Sequence, residues 1–122
     1  MVSPHKGKTG LRRLINAFGY SISGLRAAYR LEDAFRQEIL LAAVLIPAAL
    51  MLPVAATGRA LLLASVFLVL IVELINSAVE AAVDRISLDN HELAKVAKDI
   101  GSAAVMLSLV CMTLVWMIVL IN

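Results

Sequence analysis

A chain of 122 residues allows one domain of ordinary size. Apolar residues make up 61% of it and charged residues 16%, against roughly 45–50% and 25% in soluble domains. With the charges clustered between long uncharged stretches, this excludes an ordinary soluble core and points to a polytopic membrane protein. The net charge of +2 hides a strong asymmetry along the chain.

Residues 1–9, with Pro4, Lys6, Gly7 and Lys8, read as a short basic leader. Many charges precede the first apolar stretch, a longer basic region than a secretory signal has, so no cleavage is expected. Over residues 10–30, Leu11, Leu14, Ile15, Phe18, Ile22, Leu25 and Tyr29 recur at three- and four-residue steps, which predicts an amphipathic helix. Arg12, Arg13, Asn16, Ser23, Arg26 and Arg30 fill most of its other face. Such a helix beside membrane spans belongs in the headgroup plane, held by its apolar face and by anionic lipid; in a soluble domain it would be an ordinary surface helix.

Three transmembrane helices are predicted next. The first covers residues 34–56, uncharged from Ile39 onward, with Pro47 and Pro53 as bends. A turn at Thr57, Gly58 and Arg59 leads to the second, residues 60–84. A polar segment, residues 85–99, follows, in which Asp89 and Glu92 have capping-box spacing; a helix is expected to start near Asn90 and run into the third span. That span, residues 100–121, is about 33 Å long at ~1.5 Å per residue, enough to cross. Its single cysteine, Cys111, excludes an intrachain disulfide and a cysteine-based zinc site, and reads as a small packing residue.

The fold class is therefore an all-α membrane protein: an N-terminal amphipathic surface helix plus three transmembrane helices. Lys6, Lys8, Arg12, Arg13, Arg26, Arg30 and Arg36 precede the uncharged part of span one, and Arg85, Lys95 and Lys98 lie between spans two and three. The other loop has only Arg59, and the C-terminus has no basic residue. The N-terminus is thus expected in the cytoplasm and the C-terminus in the periplasm, which gathers Glu32, Glu38, Glu80, Asp84, Lys98 and Asp99 on the side where nucleotides are found.

Within span two, Glu73 follows the uncharged run from Leu61 to Val72, and Asn76, Glu80 and Asp84 follow it at offsets of three, seven and eleven. At about 100° per residue these four groups share one helical stripe running from the bilayer to water. An ionisable group in a span costs several kcal/mol and marks a functional site by default. A buried carboxylate just beneath the headgroups can serve as general base on a lipid hydroxyl; alternatively it is a hydrogen bond or ion pair that holds helices together. Glu32, Glu38 and Glu80 are hard oxygen ligands of the kind Mg²⁺ takes, or solvated carboxylates at helix ends. Lys98 beside Asp99 suits a phosphate, or plain anchoring at the interface.

No Walker-type phosphate loop, dinucleotide glycine motif or protein-kinase signature is present. His91-Glu92 does not open a zinc-protease motif, because position 95 is lysine. Phosphoryl transfer here would still need Mg²⁺, a base and cationic support.

The run from Ile71 to Arg85, Ile-Val-Glu-Leu-Ile-Asn-Ser-Ala-Val-Glu-Ala-Ala-Val-Asp-Arg, resembles the signature of the prokaryotic diacylglycerol kinase family. So do Gly-Tyr-Ser-Ile-Ser-Gly-Leu-Arg-Ala-Ala at 19–28, Ala-Phe-Arg-Gln-Glu at 34–38, and Ala-Lys-Asp-Ile-Gly-Ser-Ala-Ala-Val at 97–105. The resemblance implies a small homotrimeric kinase of the bacterial inner membrane, with sites shared between subunits, that moves the γ-phosphate of MgATP to diacylglycerol. It implies Glu73 as general base, aided by Asn76, and Glu32 and Glu80 as ligands of the Mg²⁺ bridging the ATP phosphates. It implies nucleotide contacts at Arg13, Tyr20, Glu32, Glu80, Asp89, Asn90, His91, Lys98 and Asp99. Arg13, Ser21, Arg26, Glu38, Glu73 and Ser102 would line the lipid and active-site region. Partners are then diacylglycerol, ATP, membrane lipids and further copies of the chain; no nucleic-acid partner is expected.

A related branch phosphorylates undecaprenol, and the span-three motif resembles the diacylglycerol branch more. An ion-conducting subunit with Glu73 as relay would need ionisable groups continuing outward, yet residues 60–72 offer only Ser65. A purely structural peptide leaves Glu80, Asp84, Lys98 and Asp99 without a purpose.

Overall fold

The computed structural model describes residues 10–86 and 91–122. Four helices make up the fold: α1 (Leu11–Leu31), α2 (Asp33–Met51), α3 (Ala56–Ile86) and α4 (Glu92–Ile121), with no strand among the described residues. The last three are each long and apolar enough to cross a membrane. At ~1.5 Å per residue α3 and α4 are each about 45 Å long, against a hydrocarbon core of about 30 Å. The polar ends of both helices therefore extend past the acyl chains.

One residue separates α1 from α2. Glu32 is extended (φ −117°, ψ 113°) and serves as C-cap of the first helix and N-cap of the second. Arg36 locks this elbow: its Nη1 donates to Tyr29 O at 2.7 Å and Arg30 O at 3.0 Å, satisfying carbonyls that a helix end leaves open. Its Nη2 pairs with Asp33. The elbow fixes where the Glu32 carboxylate can reach.

The α2–α3 junction lies earlier than the sequence suggests. α2 stops at Met51 and α3 starts at Ala56, so Thr57, Gly58 and Arg59 form its first turn and not a connecting turn. Pro53 is the cause, since the residue before a proline is pushed out of the helical region; Leu52 is extended (φ −66°, ψ 145°). Arg59 then clamps the junction, donating to Ala49 O, Leu50 O and Val54 O at 2.7, 2.8 and 3.2 Å. Pro47 sits within α2, where it removes one backbone donor.

α4 opens at Glu92, with His91 as its cap: the imidazole Nδ1 accepts from Leu93 N at 3.1 Å. Asp89 and Asn90, expected to cap and start this helix and to contact nucleotide, lie outside the described residues.

α3 is the central element, packed chiefly on α4 and then on α2, while α1 meets α2 and α3 at one end. The core joins Ala42, Val66, Val69 and Met112, with Leu45, Ile46, Leu70, Leu109 and Trp116 around it. Lipid tails are as apolar as these side chains, so close packing supplies the attraction, helped by small residues such as Ala42 and Ala49 that let backbones approach. Most of the apolar surface faces outward; even in α3 only 28% of the apolar window is buried. Cys111, expected as a packing residue, is exposed on the single chain. On α1 the whole predicted apolar face from Leu11 to Tyr29 is exposed and only Ala28 is buried, the pattern of a helix laid on a membrane surface.

Candidate active site

The polar stripe of α3 becomes progressively more exposed along its length. Glu73 is 4% exposed, Asn76 and Glu80 are half-buried, and the Asp84 side chain is 63% exposed. Glu73 is the only buried charged residue among those described. Glu32, brought in by the α1–α2 elbow, and Glu80, two turns along α3, are near enough for their charges to act on Glu73. Glu73 in turn acts on Glu38 of α2. Three helix segments thus converge four carboxylates on one end of the bundle. No group of three or more acidic, histidine or cysteine side chains among the described residues is placed to enclose a metal by itself.

Hydrogen bonding at this end is incomplete. Asn76 Nδ2 donates to Glu80 Oε1 at 3.3 Å. Asn76 Oδ1, Glu38 Oε2 and Ser77 Oγ are buried without a hydrogen-bond partner among the described residues. Each such atom costs about 1–3 kcal/mol, so the cluster is not arranged for stability alone.

On the adjoining side a cavity of about 600 Å³ opens between α1 and α3. Its walls are mostly apolar, from Leu25, Ala28, Leu31, Leu74 and Ala78, with Ser21, Glu32 and Ser77 as the polar contributions. An apolar slot with one carboxylate, the half-buried Glu32, on its wall suits a molecule with greasy chains and one hydroxyl.

Cationic groups gather at the exposed end of the stripe. Lys98 Nζ of α4 bonds Asp84 Oδ1 of α3 at 2.6 Å, and Lys95 Nζ bonds Asp99 Oδ2 at 2.8 Å. Lys98 and Asp99, expected to act side by side, are therefore held by different partners in the single chain. Both pairs are exposed and so are weak and exchangeable. Arg13, Tyr20 and Arg26 lie exposed along α1, Ser102 is exposed on α4, and His91 is committed to its cap. The chain thus brings Glu32, Glu38, Glu73, Asn76 and Glu80 together, places Ser21 on the cavity, and leaves Arg13, Tyr20, Arg26, His91, Asp99 and Ser102 on its surface.

Two residues of this site went unassigned in the sequence. Asp84 was visible only as the last member of the stripe. Gly101 lies in the Ala-Lys-Asp-Ile-Gly run, and a Cβ there would fall on Asn76 Oδ1; nothing in the sequence signals that cross-helix approach.

This fold and these side chains define a small polytopic membrane protein with an acidic site where an interfacial helix meets the bundle. The family model for prokaryotic diacylglycerol kinase matches residues 19–120. A diacylglycerol kinase of Pseudomonas aeruginosa is 55% identical over 98% of both chains. One from Escherichia coli K12 is 52% identical over 92% of both, and one from Haemophilus influenzae is 47% identical over 88% of this chain and 92% of its own. The chain belongs to the prokaryotic diacylglycerol kinase family.

Proposed function

We propose that this chain transfers the γ-phosphate of ATP to the free hydroxyl of diacylglycerol, giving phosphatidic acid and ADP at the cytoplasmic face of the bacterial inner membrane. The observation that carries the reading is Glu73: a carboxylate 4% exposed, inside a membrane-capable helix, within reach of the charges of Glu32 and Glu80, on the helix whose Leu74, Ser77 and Ala78 wall an apolar cavity. Family membership and the names of the relatives support the substrate.

In this reading the acyl chains occupy apolar surface and the hydroxyl meets Glu73. The hydroxyl oxygen attacks the γ-phosphorus, the bond to the β,γ-bridging oxygen breaks, and the hydroxyl proton passes to the Glu73 carboxylate. Asn76 orients the acidic end through its bond to Glu80. Mg²⁺ takes one or two carboxylates and completes its shell with phosphate oxygens and water, which fits Glu32 and Glu80 as the pair that holds it. Bound there, it would neutralise charge on the phosphates. Lys98 and Asp99 receive the nucleotide, with the phosphates competing against Asp84 for the Lys98 ammonium; Arg13, Tyr20, Asp89, Asn90 and His91 complete the nucleotide side. Ser21, Arg26, Glu38 and Ser102 line the lipid side. The working unit is a homotrimer with sites shared between copies. The unpartnered buried atoms and the outward apolar faces of α2–α4 support this assembly, as does the surface position of Arg13, Tyr20 and Asp99.

The test is phosphate transfer from labelled ATP in mixed micelles. Glu73→Gln is expected to lower kcat by about 10²–10⁴ while a non-hydrolysable ATP analogue still binds. Glu80→Gln is expected to weaken the metal-dependent binding itself. Near-normal turnover in Glu73→Gln would remove it as the base. Undecaprenol offered alongside diacylglycerol decides the lipid.

A further inference from the structure

We infer that Gly101 is a positioning residue for the acidic site: by lacking a side chain it lets the Asn76 amide lie against α4, where the amide holds the Glu80 carboxylate. The inference rests on the reading of Glu80 as a metal ligand.

A methyl group at position 101 would overlap Asn76 Oδ1, while lying 3.1 Å from Cγ and 3.9 Å from Cβ of the same residue. The Cβ distance is an ordinary contact, so the helices need not separate. The amide at the end of the Asn76 side chain is what must move. Its Nδ2 is the group bonded to Glu80 Oε1 at 3.3 Å, and its Oδ1 is buried with no hydrogen-bond donor among the described residues. That bond also fixes which amide atom faces which helix, since only nitrogen can donate to a carboxylate. Asn76 is therefore confined by a missing methyl on one side and a single bond on the other. Gly101 itself is half-buried and helical, with no left-handed conformation to require glycine. The close approach is the reason the residue is small.

The consequence is specific. Gly101→Ala keeps the bundle and swings the amide off Glu80, so the loss appears in the metal dependence rather than in lipid affinity. One hydrogen bond to a charged group corresponds to about a tenfold change in affinity.

The full chain, purified in detergent, is assayed for Mn²⁺ binding by electron paramagnetic resonance with a non-hydrolysable ATP analogue, and for KM of Mg²⁺ and of diacylglycerol separately. Gly101→Ala is expected to weaken Mn²⁺ binding and raise the KM for Mg²⁺ by about tenfold, with the KM for diacylglycerol unchanged. Asn76→Ser, which removes the amide and leaves room, is expected to do the same. The double variant should be no worse than Asn76→Ser alone, because both act through one bond. If Gly101→Ala does not fold, the double variant relieves the overlap and is compared with Asn76→Ser in its place. Normal Mn²⁺ binding in Gly101→Ala, an equal rise in both KM values, or additive losses in the double variant would each overturn the inference. If Glu80→Gln leaves Mn²⁺ binding intact, the metal-ligand reading fails; if Glu80→Gln weakens it and Gly101→Ala does not, the inference alone fails.

Discussion

In the half of the bundle nearer Arg59, Ser65 Oγ donates to Leu62 O at 2.8 Å and Ser108 Oγ to Val105 O at 2.7 Å, and Arg59 itself satisfies three open carbonyls. In the half nearer Glu80, Glu38 Oε2, Asn76 Oδ1 and Ser77 Oγ are buried with no hydrogen-bond partner among the described residues, and Glu73 is buried within reach of the charges of Glu32 and Glu80. Trp116 Nε1 is the exception in the first half, buried without a partner that the structure reveals. Apart from that indole, the first half is satisfied within the single chain and holds the helices together. The other carries the polar atoms that a substrate or a second copy has yet to engage. Stability and reactivity are thus segregated along the length of α3.

The sharpest way to break this division is to damage the Arg59 half and look for effects on catalysis. Leu62 is fully buried, and Leu62→Ala leaves a cavity that its helical neighbours cannot fill. In lipid the transfer contribution is small, which leaves the packing loss, so we expect about 2–3 kcal/mol lower stability with kcat per folded molecule unchanged. Denaturation by sodium dodecyl sulfate in mixed micelles, followed by turnover at equal folded concentration, checks it. Arg59→Ala comes next, at about 1.5 kcal/mol for a charged donor lost from helix-end carbonyls. Proteolysis between residues 50 and 56 should rise in parallel. A large fall in kcat for either variant would mean that the two halves are coupled.

The same division decides what could be read from the sequence. The Glu73 stripe was legible because a 3.6-residue period turns spacing into a face, and burial then follows from the apolar run around it. The surface helix was legible for the same reason. The α2–α3 junction was misplaced because Gly58 and Pro53 both look like turn residues, while only Pro53 acts as one. Gly58 is small because a Cβ there would approach Val119 Cγ1 to 3.1 Å, a packing role invisible without α4 beside it. Gly101 was illegible on the same ground. The Asp84–Lys98 pair and the Arg36 and Arg59 clamps depend on long side chains reaching across junctions, and periodicity carries no information about reach. His91 took the capping role through its imidazole, a residue outside the usual Ser, Thr, Asp and Asn set.

The smallest effect is also the most discriminating, because the division predicts opposite signs for two buried serine hydroxyls on one helix, one on a buried residue and one on a half-buried residue. Ser65 bonds Leu62 O, so Ser65→Ala gives up a made hydrogen bond and is expected to lose about 0.5–1 kcal/mol. Ser77 Oγ has no hydrogen-bond partner among the described residues, and Ser77 lines the cavity between α1 and α3. Ser77→Ala therefore removes an unsatisfied oxygen and is expected to leave stability unchanged or raise it by up to ~1 kcal/mol. Both variants are compared with wild type in the same detergent denaturation, where the shared loss of one oxygen atom cancels and the difference in bonding remains. Equal losses at the two positions would show that Ser77 is bonded in the membrane-embedded assembly. Its oxygen would then belong to the packing of the bundle, and the boundary between the two halves of α3 would move at least one turn toward Glu80.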